Sequence, residues 1–116
     1  MENSLVSYFI KEMKEALPSS EVVKIACRGR RGFPDVLVWI LDLPTIYIEF
    51  KSPKWGKLSK QQEWWIERAK LLSQEMHVCD SYEKADALVH SFKERFASMQ
   101  SRSLHYRRRS LSRDPL

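Results

Sequence analysis

Scarcities in this chain exclude several classes of protein before any residue is weighed. Only two cysteines occur in 116 residues, Cys27 and Cys79, far apart and in apolar, strand-like surroundings. A disulfide framework is not expected from them, and two thiols alone cannot build a structural zinc site, so both read as buried free thiols. The three histidines, His77, His90 and His105, lack metal-ligand spacing and read as structural or surface residues. No apolar run approaches the ~20 residues that span a bilayer. The stretch Met1–Lys11 lacks the basic start and long apolar centre of a secretory signal, so cytoplasmic residence is the default expectation. No internal repeat is present, and the length suits one domain.

The remaining composition is that of an ordinary globular domain, 43% hydrophobic and 30% charged. The net charge of +5 is unevenly placed. The last twenty residues carry Arg102, Arg107, Arg108, Arg109 and Arg113 against the single acid Asp114, while the rest is close to neutral. The high pI therefore belongs to the tail and does not give the folded body a basic face. Such a tail suits an anionic partner, nucleic acid being the commonest, and equally suits a solvated, disordered end.

From Ser4 to Leu17 apolar residues recur at helical spacing, and Pro18 stops the pattern. Val22 to Cys27 is a short β-prone run, followed by a basic, glycine-bearing turn from Arg28 to Gly32. Asp35 to Leu41 and Thr45 to Phe50, joined by a tight turn at Leu43-Pro44, read as an antiparallel hairpin. After a loop with Pro53 and Gly56, Ser59 and Gln62 form a capping-box pattern for a helix running to about Glu75. The inner stripe expected on it is Leu58, Trp65, Ala69 and Leu72. Met76 to Cys79 is a brief strand, and a final helix runs to about Phe96. The order is α-β-β-β-α-β-α.

The chemistry is concentrated in Gly32-Phe33-Pro34-Asp35, then thirteen residues, then Glu49-Phe50-Lys51. Strand side chains alternate between faces, so Glu49 and Lys51 point the same way and Phe50 the other. A hairpin brings the start of one strand beside the end of the next, where Asp35, Glu49 and Lys51 can converge. Two adjacent carboxylates repel unless a cation sits between them, and oxygen ligands of this kind suit Mg²⁺ or Mn²⁺. The carbonyl of Phe50 is a further candidate ligand. Such an ion activates water and stabilises charge on a phosphate, with Lys51 orienting the water. A lone Glu-x-Lys also suits an exposed edge strand. Pro-Asp, the hairpin spacing and the apolar surroundings favour the convergent reading.

Gly32-Phe33-Pro34-Asp35, Ile48-Glu49-Phe50-Lys51 and Gly56-Lys57-Leu58-Ser59-Lys60-Gln61-Gln62 resemble the VRR-Nuc branch of the P-D-(D/E)-x-K nuclease superfamily. The resemblance spans roughly residues 1 to 90. It implies an α/β, restriction-endonuclease-like fold with an αβββαβ core, a small mixed sheet flanked by helices. Residues 1–96 would then form the nuclease domain, and 97–116 a flexible basic tail. It also implies DNA phosphodiester hydrolysis with Mg²⁺ or Mn²⁺. The stand-alone members, from phages and bacteria, imply a homodimer cutting branched DNA of the four-way-junction type. By position, Asp35 and Glu49 are implied as metal ligands, Lys51 as the catalytic lysine, and Gln62 as a residue that positions the lysine or a phosphate. A glutamate on the first helix is implied too. Glu2 matches best, with Glu12 and Glu15 as alternatives.

Arg28, Arg30 and Arg31, with Lys54, Lys57 and Lys60 on the other loop, read as a basic rim for backbone phosphates or as solvated turns. Trp65 reads as core. Trp64 falls off its helix's inner stripe and reads as an interface residue, with a second copy of the chain as the favoured partner. Trp55 suits stacking on an unpaired base or covering its loop. No membrane association is expected. The rival reading, from another class, is a non-catalytic DNA-binding module on the same fold.

Overall fold

A computed structural model describes residues 2–26, 29–51 and 57–112, with the side chains of residues 2, 3 and 103–112 excepted. Helix α1 (Glu2–Ala16) comes first. Leu5, Phe9 and Met13, spaced by four, form its buried stripe with Val6. Pro18 ends it, because a proline offers no N–H to the next turn.

Strands β1 (Glu21–Lys24), β2 (Val36–Trp39) and β3 (Ile46–Phe50) form an antiparallel meander. Strand β4 (Glu75–Cys79) lies parallel to β3, and the sheet order is β1-β2-β3-β4. A parallel pair needs a long crossover, supplied by α2 (Lys60–Leu71). Helix α3 (Tyr82–Ser112) closes the chain. The element order is the one expected, and the hairpin of β2 and β3 forms with Val36 opposite Ile48 and Val38 opposite Ile46.

Alternation along the strands divides the sheet into two unlike faces. Val36, Val38, Ile46, Ile48, Phe50 and Cys79 meet α1 and α3 in the main core, where the rings of Phe9 and Phe50 pack edge to face at 5.6 Å. Burial pushes the Cys79 thiol up, so it stays a neutral core residue as expected. The other face carries Leu37, Trp39, Tyr47, Glu49 and Met76. Only α2 covers it, and none of that helix's residues is fully buried. The site occupies this thinly covered side.

Three expected element details differ. Helix α2 ends at Leu71, short of Glu75, because Ser73 adopts a left-handed backbone (φ 57°). Its N–H donates to Lys70 O, and the Gln74 N–H donates to Ala69 O at 2.8 Å, which together make a Schellman stop. Leu72 is consequently 57% exposed rather than on an inner stripe. Helix α3 runs past Phe96 to Ser112, and Gln100 donates to Asp42 Oδ2 at 3.0 Å. The residue chosen as the end of the folded body thus lies within α3.

Candidate active site

The hairpin register places the two carboxylates. Val36 opposite Ile48 is the last paired position, so Asp35 and Glu49 face each other one step beyond, on the side that carries Leu37 and Tyr47. The Asp35 N–H donates to Ile48 O at 3.0 Å, and its Oδ2 accepts from the Phe50 N–H at 2.8 Å. That carboxylate therefore replaces a backbone acceptor where the β2–β3 ladder ends, and it lies across the peptide that joins Glu49 to Phe50. Pro34, buried and fixed in φ, leads the chain into this position.

Glu49 is 3% exposed, the one charged side chain buried among the described residues. Burying a carboxylate beside another is costly unless a cation or strong donors compensate. Gln62 supplies one donor, Nε2 to Glu49 Oε1 at 2.5 Å. Lys51 follows one pleat later, with its N–H bonded to Cys79 O at 2.9 Å, so β3 keeps its alternation through this residue. Its half-buried side chain leaves the same face as Glu49.

Gln62 holds two elements with one amide. Its Oε1 accepts from the Ser59 N–H at 2.8 Å, and the Ser59 hydroxyl accepts from the Gln62 N–H at 3.1 Å, which is the expected capping box. The amide nitrogen that remains is the one on Glu49. What brings α2 so close is Gly32, a residue whose role the sequence reading did not assign. Its φ is +81°, and an added Cβ would lie 2.6 Å from Gln61 C and Gln62 N. The only available signal was its place two residues before Pro34.

The other expected residues divide. Arg30, Arg31, Lys57 and Lys60 are exposed around this end of the sheet. Arg28, Lys54, Trp55 and Cys27 lie outside the described residues, as do the side chains of Glu2 and His105. Glu2 opens α1, whereas Glu12 and Glu15 lie near its other end, which hands over to β1 opposite Trp39, away from Asp35. His77 contacts Glu75 at 2.7 Å and His90 contacts Glu94 at 2.9 Å, both structural roles as expected. Trp65, expected as core, is half-buried. Its Nε1 donates to Arg31 O at 3.1 Å and its ring stands edge-on to Phe33 at 4.8 Å. Beneath it, a small cavity of about 120 Å³ is lined by Phe33, Tyr47, Ala69 and Met76 among others.

The donor set fits a hard divalent cation. No group of three or more His, Cys, Asp or Glu residues among the described ones is placed to hold a metal. Two convergent carboxylates with a nearby backbone carbonyl suit Mg²⁺ or Mn²⁺, which keep several waters and bind through one or two carboxylates. They do not suit zinc, which favours nitrogen and sulfur ligands in a closed tetrahedron.

With this geometry established, comparisons with known proteins gain meaning. The VRR-NUC domain profile matches residues 6–83, about two thirds of the chain. A solved structure described as a VRR_NUC domain superposes with a TM-score of 0.68 at 27% identity, covering 77% of this chain and 94% of that one. No match is found among curated proteins. No helix among the described residues is long and apolar enough to cross a membrane.

Proposed function

The chain belongs to the VRR-NUC domain family, with its restriction-endonuclease-like α/β fold and nuclease-family role in DNA metabolism, and from that premise we infer that it is a Mg²⁺- or Mn²⁺-dependent deoxyribonuclease. The observation that carries this reading is the pairing of Asp35 with the buried Glu49 at the end of the hairpin, with Lys51 on the same face. Asp35, Glu49 and the Phe50 carbonyl would hold the ion, joined by Glu2 from α1. When bound, the ion supplies positive charge at the scissile phosphate and lowers the pKa of an attacking water.

The chain's own groups do the rest. The Phe50 N–H fixes one oxygen of Asp35, and Gln62 fixes one oxygen of Glu49, so neither carboxylate has to reorganise as charge develops. Lys51 offers an ammonium that orients the incoming water and offsets negative charge building on the phosphate oxygens. Water oxygen bonds to phosphorus, the bridging P–O bond breaks, and the leaving oxygen takes a proton from solvent. Arg30, Arg31, Lys57 and Lys60 hold backbone phosphates on either side. Four-way junctions or other branched DNA are the proposed substrate, and a C2 homodimer presenting two such sites is the proposed assembly.

The test is a cleavage panel of single-stranded, duplex, flap and four-way DNA, with Mg²⁺, Mn²⁺ or EDTA. Cleavage that needs the ion and is lost in Lys51→Ala is the expected result. Tight binding without cleavage of any substrate would instead establish a non-catalytic DNA-binding module. Cutting of flaps alone would remove the junction preference and leave the nuclease.

A further inference from the structure

Beside the carboxylates, and separate from them, runs an open groove of about 820 Å³ lined by Gly29, Arg30, Arg31, Lys60, Gln61, Trp64 and Trp65. Three of the seven are cations and none is an acid; Glu63 and Glu67 of the same helix do not line it. Gln61 lies in the groove while Gln62, the next residue, bonds Glu49. The groove therefore begins one residue from the candidate active site.

Its two tryptophans are not equivalent. Trp65 is committed to the fold through Arg31 O and Phe33, with the Arg30 guanidinium 5.7 Å from its ring centre. Trp64 is 55% exposed. It stands perpendicular on Trp65 with centroids 4.9 Å apart, so a fixed neighbour holds its orientation. The Arg68 guanidinium lies 5.6 Å from its ring centre. An oriented, exposed indole with cations beside it meets two requirements of single-strand binding, a flat surface for a base and positive charge for the backbone.

We propose that this groove binds an unpaired DNA strand, with a base stacked on Trp64 and flanking phosphates on Arg30, Arg31 and Lys60. The assignment rests on the nuclease reading for its choice of DNA, and it names the part of the substrate held next to the cut: a single-stranded segment leaving the duplex. A base inside a duplex already stacks on its neighbours and has no face to offer Trp64, so blunt duplex gains only the phosphate contacts. A second copy of the chain fits this groove less well. A two-fold contact would set the same cationic surface against itself.

The test measures binding in EDTA, where no strand is cut, using the full chain and dye-labelled DNA. Fluorescence anisotropy compares a blunt duplex with the same duplex bearing a single-stranded overhang, and 2-aminopurine in the overhang reports stacking. Wild type is expected to bind the overhang DNA more tightly and to quench 2-aminopurine. Trp64→Ala removes about ten-fold of affinity for the overhang DNA and the quenching, leaves blunt-duplex affinity unchanged, and Trp64→Phe restores most of both. Double substitution Arg30→Ala/Arg31→Ala weakens both DNAs and flattens the salt dependence by about 0.9 per lost phosphate contact. Equal wild-type affinity for the two DNAs overturns the proposal. So does a Trp64→Ala protein that changes mass by light scattering while keeping the overhang preference, which would make Trp64 a subunit contact. If nothing is cleaved with either metal but the Trp64-dependent preference persists, the nuclease reading fails and the groove assignment stands; cleavage with no role for Trp64 gives the converse.

Discussion

The side-chain amide of Gln62 links the start of a helix to a buried carboxylate on a strand, and each bond depends on a different atom. Substituting alanine removes both the capping box, about 0.5–2 kcal/mol, and a hydrogen bond to a charged group, about 1.5–3 kcal/mol. Gln62→Ala is therefore expected to lower metal-free stability by roughly 2–4 kcal/mol in urea unfolding. Gln62→Glu keeps an acceptor for the Ser59 N–H but turns a carboxylate towards Glu49. Its unfolding midpoint should fall at neutral pH and recover on acidification, as one carboxyl takes up a proton. A Gln62→Glu protein as stable as wild type at pH 7 would show that the Glu49 contact matters little.

Gly32 presents the complementary case, in which a side chain is forbidden. A Cβ would meet helix backbone at 2.6 Å, not a flexible side-chain end that can swing away, and the backbone there is left-handed. Gly32→Ala should cost roughly 1–3 kcal/mol, seen as a lower denaturation midpoint, and should separate α2 from the hairpin. Cleavage should fall further than stability accounts for, because Gln62 moves with the helix. Of the site, the sequence made legible whatever follows from local alternation: Asp35 after Pro34, and Glu49 and Lys51 on one face. It also showed the capping box. It could not show that the same Gln62 amide reaches Glu49 or that Gly32 admits the helix, since both contacts join segments whose distance only the tertiary fold sets.

Among the elements, those with strong periodicity or sharp punctuation were readable, and the misses have physical causes. Helix α2 was read four residues too long because its Schellman stop uses Ser73, where a glycine would have flagged the left-handed position. Helix α3 was read too short because the change from apolar stripe to arginine-rich sequence looks like a boundary. No glycine or proline interrupts the chain between Ser81 and Pro115, and nothing local stops the helix. What attaches α3 to the sheet is also non-local. Arg95 grips Glu75 of β4 with both guanidinium nitrogens, at 2.7 and 2.9 Å, and His77 joins at 2.7 Å. Burial pushes the Glu75 carboxyl up, but Arg95 and His77 together outweigh it and hold it below the usual value. A depressed folded value means the stabilisation is present above the unfolded pKa, about 4.3, and is lost as pH falls through the lower folded one. Arg95→Ala should therefore cost roughly 1 kcal/mol at pH 7, since the pair is partly exposed, and the gap from wild type should close below about pH 4 in thermal or urea unfolding. A gap that stays constant down to pH 2 would mean that Arg95 acts through packing alone.

For the whole molecule, the asymmetry of the sheet matters most. One face is sealed by α1 and α3, while α2 covers the other only near β3 and β4. Towards β1 the uncovered side shows Trp39 at 57% exposure and Val23 at 42%, with Leu37 half-buried between them, since Val23 pairs with Leu37 across the strands. The Trp39 indole is held by its bond to Thr45 Oγ1 at 3.1 Å, so this is an ordered apolar strip. It lies away from the cationic groove, and it carries no lysine or arginine that would oppose its own copy across a two-fold axis. The proposed homodimer is therefore expected to form here, leaving both grooves and both carboxylate pairs open to DNA. Trp39→Asp places a charge in the strip without disturbing the buried core. Light scattering should show its mass fall to that of a single chain, with circular dichroism and melting of the protomer preserved. Cleavage of a four-way junction should then lose its paired incisions, while nicking of simpler DNA continues. A dimer that survives Trp39→Asp, or a junction still cut in pairs by the single chain, would place the subunit contact elsewhere or remove the need for one.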